Sequence, residues 1–232
     1  ADIHPKWIAL MPDKALACFA SLRHNLDEGP DFPQGQETTL YYQTQKPSGV
    51  LRGFGLLPVL VRRWERARKP IAEEWQASNR RTYDWASAGR SSEQAAWRQA
   101  LRLENAVATG NYTMITYADL VKCFEYVDHQ NVWQAGLYWN FNKIVLRVIL
   151  RVYSTYRKVV MGKCYTAGDR WTLGIVPGSC FAILALKIVL LKPLDKLIKD
   201  FSHSYISMYV DDLAIEGYGR VVVGFRHERV VA

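Results

Sequence analysis

Two stretches carry side chains whose types and spacing suit reaction chemistry. Tyr209-Val210-Asp211-Asp212 sets two carboxylates side by side, and Asp119 ends a β-branched and aromatic run over residues 112–118. Ile206, Met208 and Val210 alternate with Ser207 and Tyr209, and Leu213 and Ile215 resume the alternation after the acids. That pattern predicts strand, tight turn, strand. Aspartate suits a turn because its side chain hydrogen-bonds its own backbone, so a polar turn with two solvated acids explains the pair by itself. Adjacent carboxylates repel, however, and a turn asks for only one. A hard divalent cation, which takes oxygen ligands, offsets the repulsion. If the strand ending at Asp119 pairs beside the hairpin, three carboxylates converge on one patch of sheet. Such a patch suits two magnesium ions about 3.5–4 Å apart, clamping the attacking and leaving oxygens of a phosphoryl transfer.

The elements that must position these acids are legible from periodicity. Residues 12–26 carry Leu16, Phe19, Ala20, Leu22 and Leu26 at helical spacing, closed by Gly29-Pro30. Residues 38–43 and 50–57 are strand candidates around a Lys46-Pro47-Ser48-Gly49 turn. A helical pattern follows from Pro58, with Arg62, Arg63, Arg66, Arg68 and Lys69 around Trp64. Bases interleaved with an aromatic can grip phosphates and stack on bases, and a solvated basic helix face explains the run equally well. Ser91 or Ser92 caps a predicted helix running to Gly110, and residues 112–118 form the strand that delivers Asp119. Residues 132–156 read as one helix with Arg147 and Arg151 on the side opposite its apolar face. Short strands are expected around Gly162 and Gly168, then a tight loop at Gly174-Ile175-Val176-Pro177-Gly178. Ser179 is placed to cap a helix through Leu191, and a helical stripe resumes after Pro193. The mixture of strands and helices with a hairpin predicts an α+β fold.

Bulk properties narrow the partners. The 232 residues suffice for one large or two small domains, and 49% hydrophobic with 22% charged residues is a globular rather than a disordered composition. A net charge of +8 points to an anionic partner, nucleic acid ahead of acidic membrane, although a merely soluble basic protein also fits. Cys18, Cys123, Cys164 and Cys180 form no Cys-x-x-Cys pair, which predicts reduced thiols in an intracellular protein, nuclear or cytoplasmic, without zinc. No stretch has the length of a membrane span; the most apolar, residues 181–191, contains Lys187 and is followed by Pro193. With no initiator Met and no signal peptide, the sequence is expected to be a piece of something longer.

Taken in order, these motifs resemble those of reverse transcriptases, and within them the polymerase domain of non-LTR (LINE-type) retrotransposons. Tyr209-Val210-Asp211-Asp212 is similar to the Tyr-x-Asp-Asp catalytic hairpin. Residues 119–129, Asp-Leu-Val-Lys-Cys-Phe-Glu-Tyr-Val-Asp-His, resemble the family's Asp-Leu-x-Lys-Ala-Phe-Asp-x-Val-x-His. Gly174-Ile175-Val176-Pro177-Gly178 looks like its Gly-x-x-Gln-Gly loop, and Lys46-Pro47-Ser48-Gly49 with Arg52 is similar to its fingers pattern. The match runs from about residue 10 to residue 216. It implies a right-hand polymerase plan: fingers over residues 1–111, and a palm over 112–232 whose antiparallel sheet packs on helices, with part of 130–172 returning to the fingers.

The resemblance implies roles residue by residue. Asp119, Asp211 and Asp212 would be the catalytic, metal-binding acids for two Mg2+ ions, with Mn2+ an alternative; Asp119 and Asp211 would be the direct ligands and Asp212 would complete the patch. Phe124 would be a steric gate under the incoming sugar, favouring dNTPs. Lys46 and Arg52 would hold the triphosphate; Gly174 and Gly178 would let backbone approach template and nucleotide; Tyr209 would line the substrate site. The implied partners are an RNA template, a DNA or RNA primer and dNTPs, without a membrane. Departures are Pro177 for Gln, Glu125 for Asp, and Gly53 for the Pro after Arg52. A thumb, and the other domains such elements encode, are expected to be missing, leaving either an RNA-templated DNA polymerase fragment or a degenerate remnant that binds RNA through its basic surface.

Overall fold

The computed structural model describes residues 5–29, 32, 33, 35–45, 47, 49 and 51–219. Lys46 lies outside them, as do Arg220, Arg226, His227 and Arg229 of the basic C-terminal stretch. In chain order the elements are α1 (Pro5–Ala9), α2 (Asp13–Glu28), β1 (Thr38–Gln45), β2 (Leu51–Leu56), α3 (Val59–Ser78), α4 (Ser92–Ala108), β3 (Tyr112–Asp119) and α5 (Cys123–Tyr126). They continue with α6 (His129–Tyr138), α7 (Lys143–Tyr153), β4 (Tyr156–Met161), β5 (Cys164–Tyr165), β6 (Asp169–Arg170), α8 (Ala182–Asp200), β7 (Ser204–Tyr209) and β8 (Asp212–Gly219). The mixed α+β expectation holds. Packing divides the chain into one unit holding residues up to Ser78 with Lys122–Leu191, and another holding Asn79–Val121 with the residues from Lys192 on.

In the first unit, β1 pairs antiparallel with β2 and parallel with β4, while β5 and β6 both pair with β4. The core is built from Leu26, Trp64, Val148, Tyr153, Phe181 and Ile188, all essentially inaccessible to solvent. Trp64 is therefore not a stacking platform for bases. Its indole N–H donates to Asp27 at 2.7 Å, and Arg68 pairs with the same carboxylate, so part of the basic run is structural. Burial, the largest single effect, would raise the Asp27 carboxyl, but the hydrogen bonds from Arg68 and Trp64 and the positive charge beside it together hold it below its ordinary value. The helix expected over 132–156 is instead two, α6 and α7. Asn140 adopts a left-handed φ of 53°, which Asn tolerates, and Asn142 caps α7 by accepting from the N–H groups of Ile144 and Val145. Arg147 and Arg151 do point together, as their spacing requires: they donate to the carbonyls of Asp27, and of Leu26 and Gly29, at the C-terminal end of α2. That end is where a helix leaves unpaired carbonyls and negative partial charge.

The second unit centres on an antiparallel sheet ordered β3-β8-β7. Ser91 caps α4 by accepting from the Gln94 N–H, as expected. At the free edge of β7, Met208 donates to the Tyr83 carbonyl at 2.8 Å and its own carbonyl accepts from the Trp85 N–H at 2.9 Å, so the 83–85 segment occupies that position of the edge. Arg81 and Tyr83 both donate to Asp195 of α8, which runs through Pro193 instead of ending there. An interior proline loses its own N–H bond and crowds the carbonyl four residues back, a cost that burial of Leu191 and Leu194 on either side of it offsets.

Candidate active site at the hairpin tip

The acids come together through strand register. Tyr209 and Asp212 close a two-residue turn made of Val210 and Asp211, and β3 pairs with β8 so that Asp119 lies directly opposite Asp212. Directly opposed residues share a face of the sheet, with Cβ atoms about 4.5–5.5 Å apart. Asp119, Asp212 and Tyr209 therefore form one row across three strands. Val210 holds a φ of 61°, a conformation costing a β-branched side chain about 1–3 kcal/mol. The pairing of Tyr209 with Asp212 imposes this strain on the turn that carries Asp211.

Asp119 and Asp212 are exposed, Asp211 is half-buried, and none of the three pairs with a cation or donor among the described residues. Two opposed carboxylates without a counter-charge form a donor set suited to a hard divalent ion, with Asp211 as the next oxygen donor along the chain. The convergence of three is incomplete: among the described residues no group of three His, Cys, Asp or Glu side chains is gathered to hold a metal. A 380 Å³ cavity opens beside the row, lined by Asp119, Tyr209 and Asp212 from the sheet and by Ala95, Ala96 and Gln99 from α4. Small side chains on α4 leave that space open. Farther from the tip on the same face, α4 is clamped down, where Arg102 donates through two nitrogens to the fully buried Glu216. The carboxylate's hydrogen bonds raise the Arg102 pKa above its ordinary value, and burial together with the same carboxylate pushes the Tyr218 hydroxyl up to about 12.

The remaining expected site residues lie in the first unit. Arg52 is exposed on β2, opposite Thr44. Phe124 is half-buried in the single turn of α5, and its carbonyl accepts from the Ile175 N–H at 2.6 Å. Gly174 and Gly178 have φ of 86° and 112°, and their missing side chains admit the protein's own backbone. A Cβ on Gly174 would stand 2.8 Å from the Glu125 carbonyl oxygen, and one on Gly178 2.4 Å from that of Gly55. Gly174 is buried, whereas Gly178 is exposed. The Gly55 N–H donates to the Pro177 carbonyl at 2.5 Å, so the loop is seated on β2. Gly53, where the family pattern has Pro, faces the Tyr41 ring, which a Cβ would meet at 2.1 Å.

Sequence reasoning gave no role to the residues that brace this loop. Buried Arg157 donates to the Gly174 carbonyl at 2.9 Å and lies over the Trp171 ring at 4.7 Å. His129 Nε2 is 2.9 Å from the same carbonyl, with Nδ1 near the Ser154 hydroxyl; burial lowers its pKa below the usual 6.5. Glu65, buried in α3, accepts from the Ser179 hydroxyl at 2.5 Å and the Cys180 N–H at 3.2 Å. Burial raises the Glu65 carboxyl and pushes the Cys180 thiol up to about 12. His129 ends a recognised motif and could have been singled out there. Arg157 and Glu65 carry no sequence signal beyond their charge.

No protein-family model and no curated protein matches the sequence. Solved structures of telomerases do match in fold. Apo telomerase from Candida tropicalis superposes with a TM-score of 0.57 at 12% identity, over 89% of this chain and 44% of that one. The same protein truncated from its C-terminal domain gives 0.57 at 13% identity, over 78% and 44%. Telomerase from Candida albicans, in complex with a TWJ fragment of telomeric RNA, gives 0.55 at 11% identity, over 87% and 40%. The chain thus spans about two-fifths of each telomerase and shares with them a reverse-transcriptase-like fold.

Proposed function

We propose that this chain carries out RNA-templated DNA synthesis, extending a primer 3′-hydroxyl with dNTPs, as part of a non-LTR retroelement reverse transcriptase. One observation carries the reading: Asp119 opposes Asp212 in register, beside a strained turn bearing Asp211. Asp119 and Asp212, with Asp211, would hold magnesium, and such ions neutralise charge developing on the transferred phosphoryl group. The chain's own part is to keep two carboxylates rigidly placed on paired strands and to leave a cavity beside them. Phe124 would exclude a 2′-hydroxyl by bulk, and Arg52 and Lys46 would offer positive charge to a triphosphate.

Primer extension on an RNA template with magnesium tests this reading. The wild-type chain is expected to incorporate dNTPs, and Asp211→Asn to lose at least about a hundredfold, the order seen when transition-state charge stabilisation is removed. Equal inertness of the two proteins defeats the catalytic reading.

The incomplete gathering of the three acids favours a second reading, a catalytically degenerate remnant that binds RNA through its basic surface. It predicts RNA binding that weakens steeply with salt and is indifferent to Asp119→Ala.

A further inference from the structure

A second pocket of the same unit has the opposite charge. It measures 600 Å³ and is lined by Arg80, Trp85, Arg90, Gln94, Trp97 and Arg98, with no carboxylate in its wall. The guanidinium groups of Arg90 and Arg98 lie 5.2 and 5.1 Å from the centroid of the buried Trp85 ring. Arg90 is fixed by carbonyls, donating to Arg81 at 2.6 Å, Asp84 at 2.7 Å and Thr82 at 3.2 Å. Arg80 reaches the Ala88 carbonyl at 3.4 Å, and Arg98 has no acidic partner among the described residues. The nearby Asp84 carboxylate accepts from the Ser87 hydroxyl and the Ala86 N–H. Three guanidinium groups thus share one pocket with no carboxylate in its wall; burial and the proximity of Arg80 and Arg98 lower the Arg90 pKa, which Asp84 nearby offsets only in part. At the rim, Trp97 is 65% exposed and makes no ring contact among the described residues.

We infer that this pocket binds single-stranded nucleic acid, the arginines holding consecutive phosphates and Trp97 stacking on an unpaired base. Guanidinium forks match phosphate oxygens, and a surface indole offers a platform every base can use. A duplex keeps its bases stacked inside, so the indole selects for a single strand. At 100° per residue, Gln94, Trp97 and Arg98 lie on roughly the opposite side of α4 from Ala95, Ala96 and Gln99, which line the acidic cavity. The strand is therefore held away from the carboxylates. This inference shares the nucleic-acid partner of the proposed function and does not depend on its chemistry.

Fluorescence anisotropy of the full 232-residue chain with a short labelled single-stranded RNA, without magnesium, tests it. Arg98→Glu and Arg80→Glu are each expected to weaken binding about tenfold and to flatten its salt dependence. Arg80→Glu guards against a packing artefact, because Arg80 does not lie on the Trp85 ring; melting curves report whether either variant unfolds. Trp97→Ala should cost about tenfold on RNA and nothing on an abasic strand of equal length. Wild-type affinity in both charge-reversal variants overturns the inference. Equal loss on the abasic strand, duplex binding with the same Trp97 dependence, or a free mononucleotide competing as well as the strand also overturns it. Binding that survives Asp211→Asn while primer extension is lost separates the two readings, since failure of one leaves the other measurable.

Discussion

Asp119 and Asp212 oppose each other across β3 and β8 with no cationic side chain paired to either among the described residues, an arrangement from which folding alone gains nothing. Like charges directly opposed on a sheet destabilise it by about 0.2–1 kcal/mol. Asp212→Asn is therefore expected to raise the melting temperature slightly in the presence of a chelator. Magnesium should reverse the order, because an ion bound only by the folded wild type stabilises by mass action. A thermal melt of both proteins with and without magnesium checks this, and an order that magnesium leaves unchanged argues against a metal at the pair. Gly178 has a different constraint. A Cβ there would meet the Gly55 carbonyl at 2.4 Å in a left-handed conformation, so Gly178→Ala should destabilise the first unit by about 1–3 kcal/mol in denaturant unfolding. Indifference to this substitution would mean that the loop is not seated on β2.

Elements show why some of this was legible in sequence and some was not. The hairpin, the strand carrying Asp119 and the Ser91-capped helix follow from local signals: alternation, β-branched runs and a cap with its partner three residues on. The break between α6 and α7 was missed because apolar residues continue at helical spacing on both sides. The signal was Asn140 and Asn142, a left-handed residue and a cap two positions apart. Trp64 is ambiguous in sequence because a basic run hides which face is inside, and only its contacts with the Phe181 ring and Asp27 decide it. The parallel pairing of β1 with β4 joins residues more than a hundred positions apart, beyond the reach of any local pattern. Arg147 and Arg151 bind α2 to α7 through its terminal carbonyls, so Arg151→Ala should cost about 1.5–3 kcal/mol and speed amide exchange in the last turn of α2. The loop held by His129 should respond to pH. Its pKa is lowered by folding, so the unfolded chain takes up a proton more readily and stability falls as pH drops from 6.5 through the folded value. Glu65, whose pKa folding raises, acts with the opposite sign, its contribution falling as pH rises from 4.5 through its folded value. His129→Asn should remove the acid-side loss in melts between about pH 7.5 and 5, while an unchanged profile would show that another group is responsible.

For the whole chain, the excess of 30 basic over 22 acidic residues is the property both functional readings share. A charge of +8 spread evenly would serve only solubility, and a polyanion would then meet it weakly and without a preferred place. The distribution is uneven at short range: carboxylates gather at the hairpin tip and arginines on the far side of α4, while other charges among the described residues are paired at Arg68–Asp27, Arg81–Asp195 and Arg102–Glu216. A base already paired with a carboxylate neutralises no phosphate, whereas an unpaired arginine that does so displaces cations condensed on the RNA. Binding of single-stranded RNA should therefore weaken linearly with log salt, with a slope of about −0.7 for each phosphate neutralised. Three phosphates at the pocket give a slope of about −2, and each free base elsewhere on the surface steepens it. Asp119→Asn should leave the slope unchanged, because that carboxylate meets no phosphate without a metal, while Arg98→Glu should flatten it. A slope near zero in the wild type would reduce the net charge to a matter of solubility and remove the common ground of both readings.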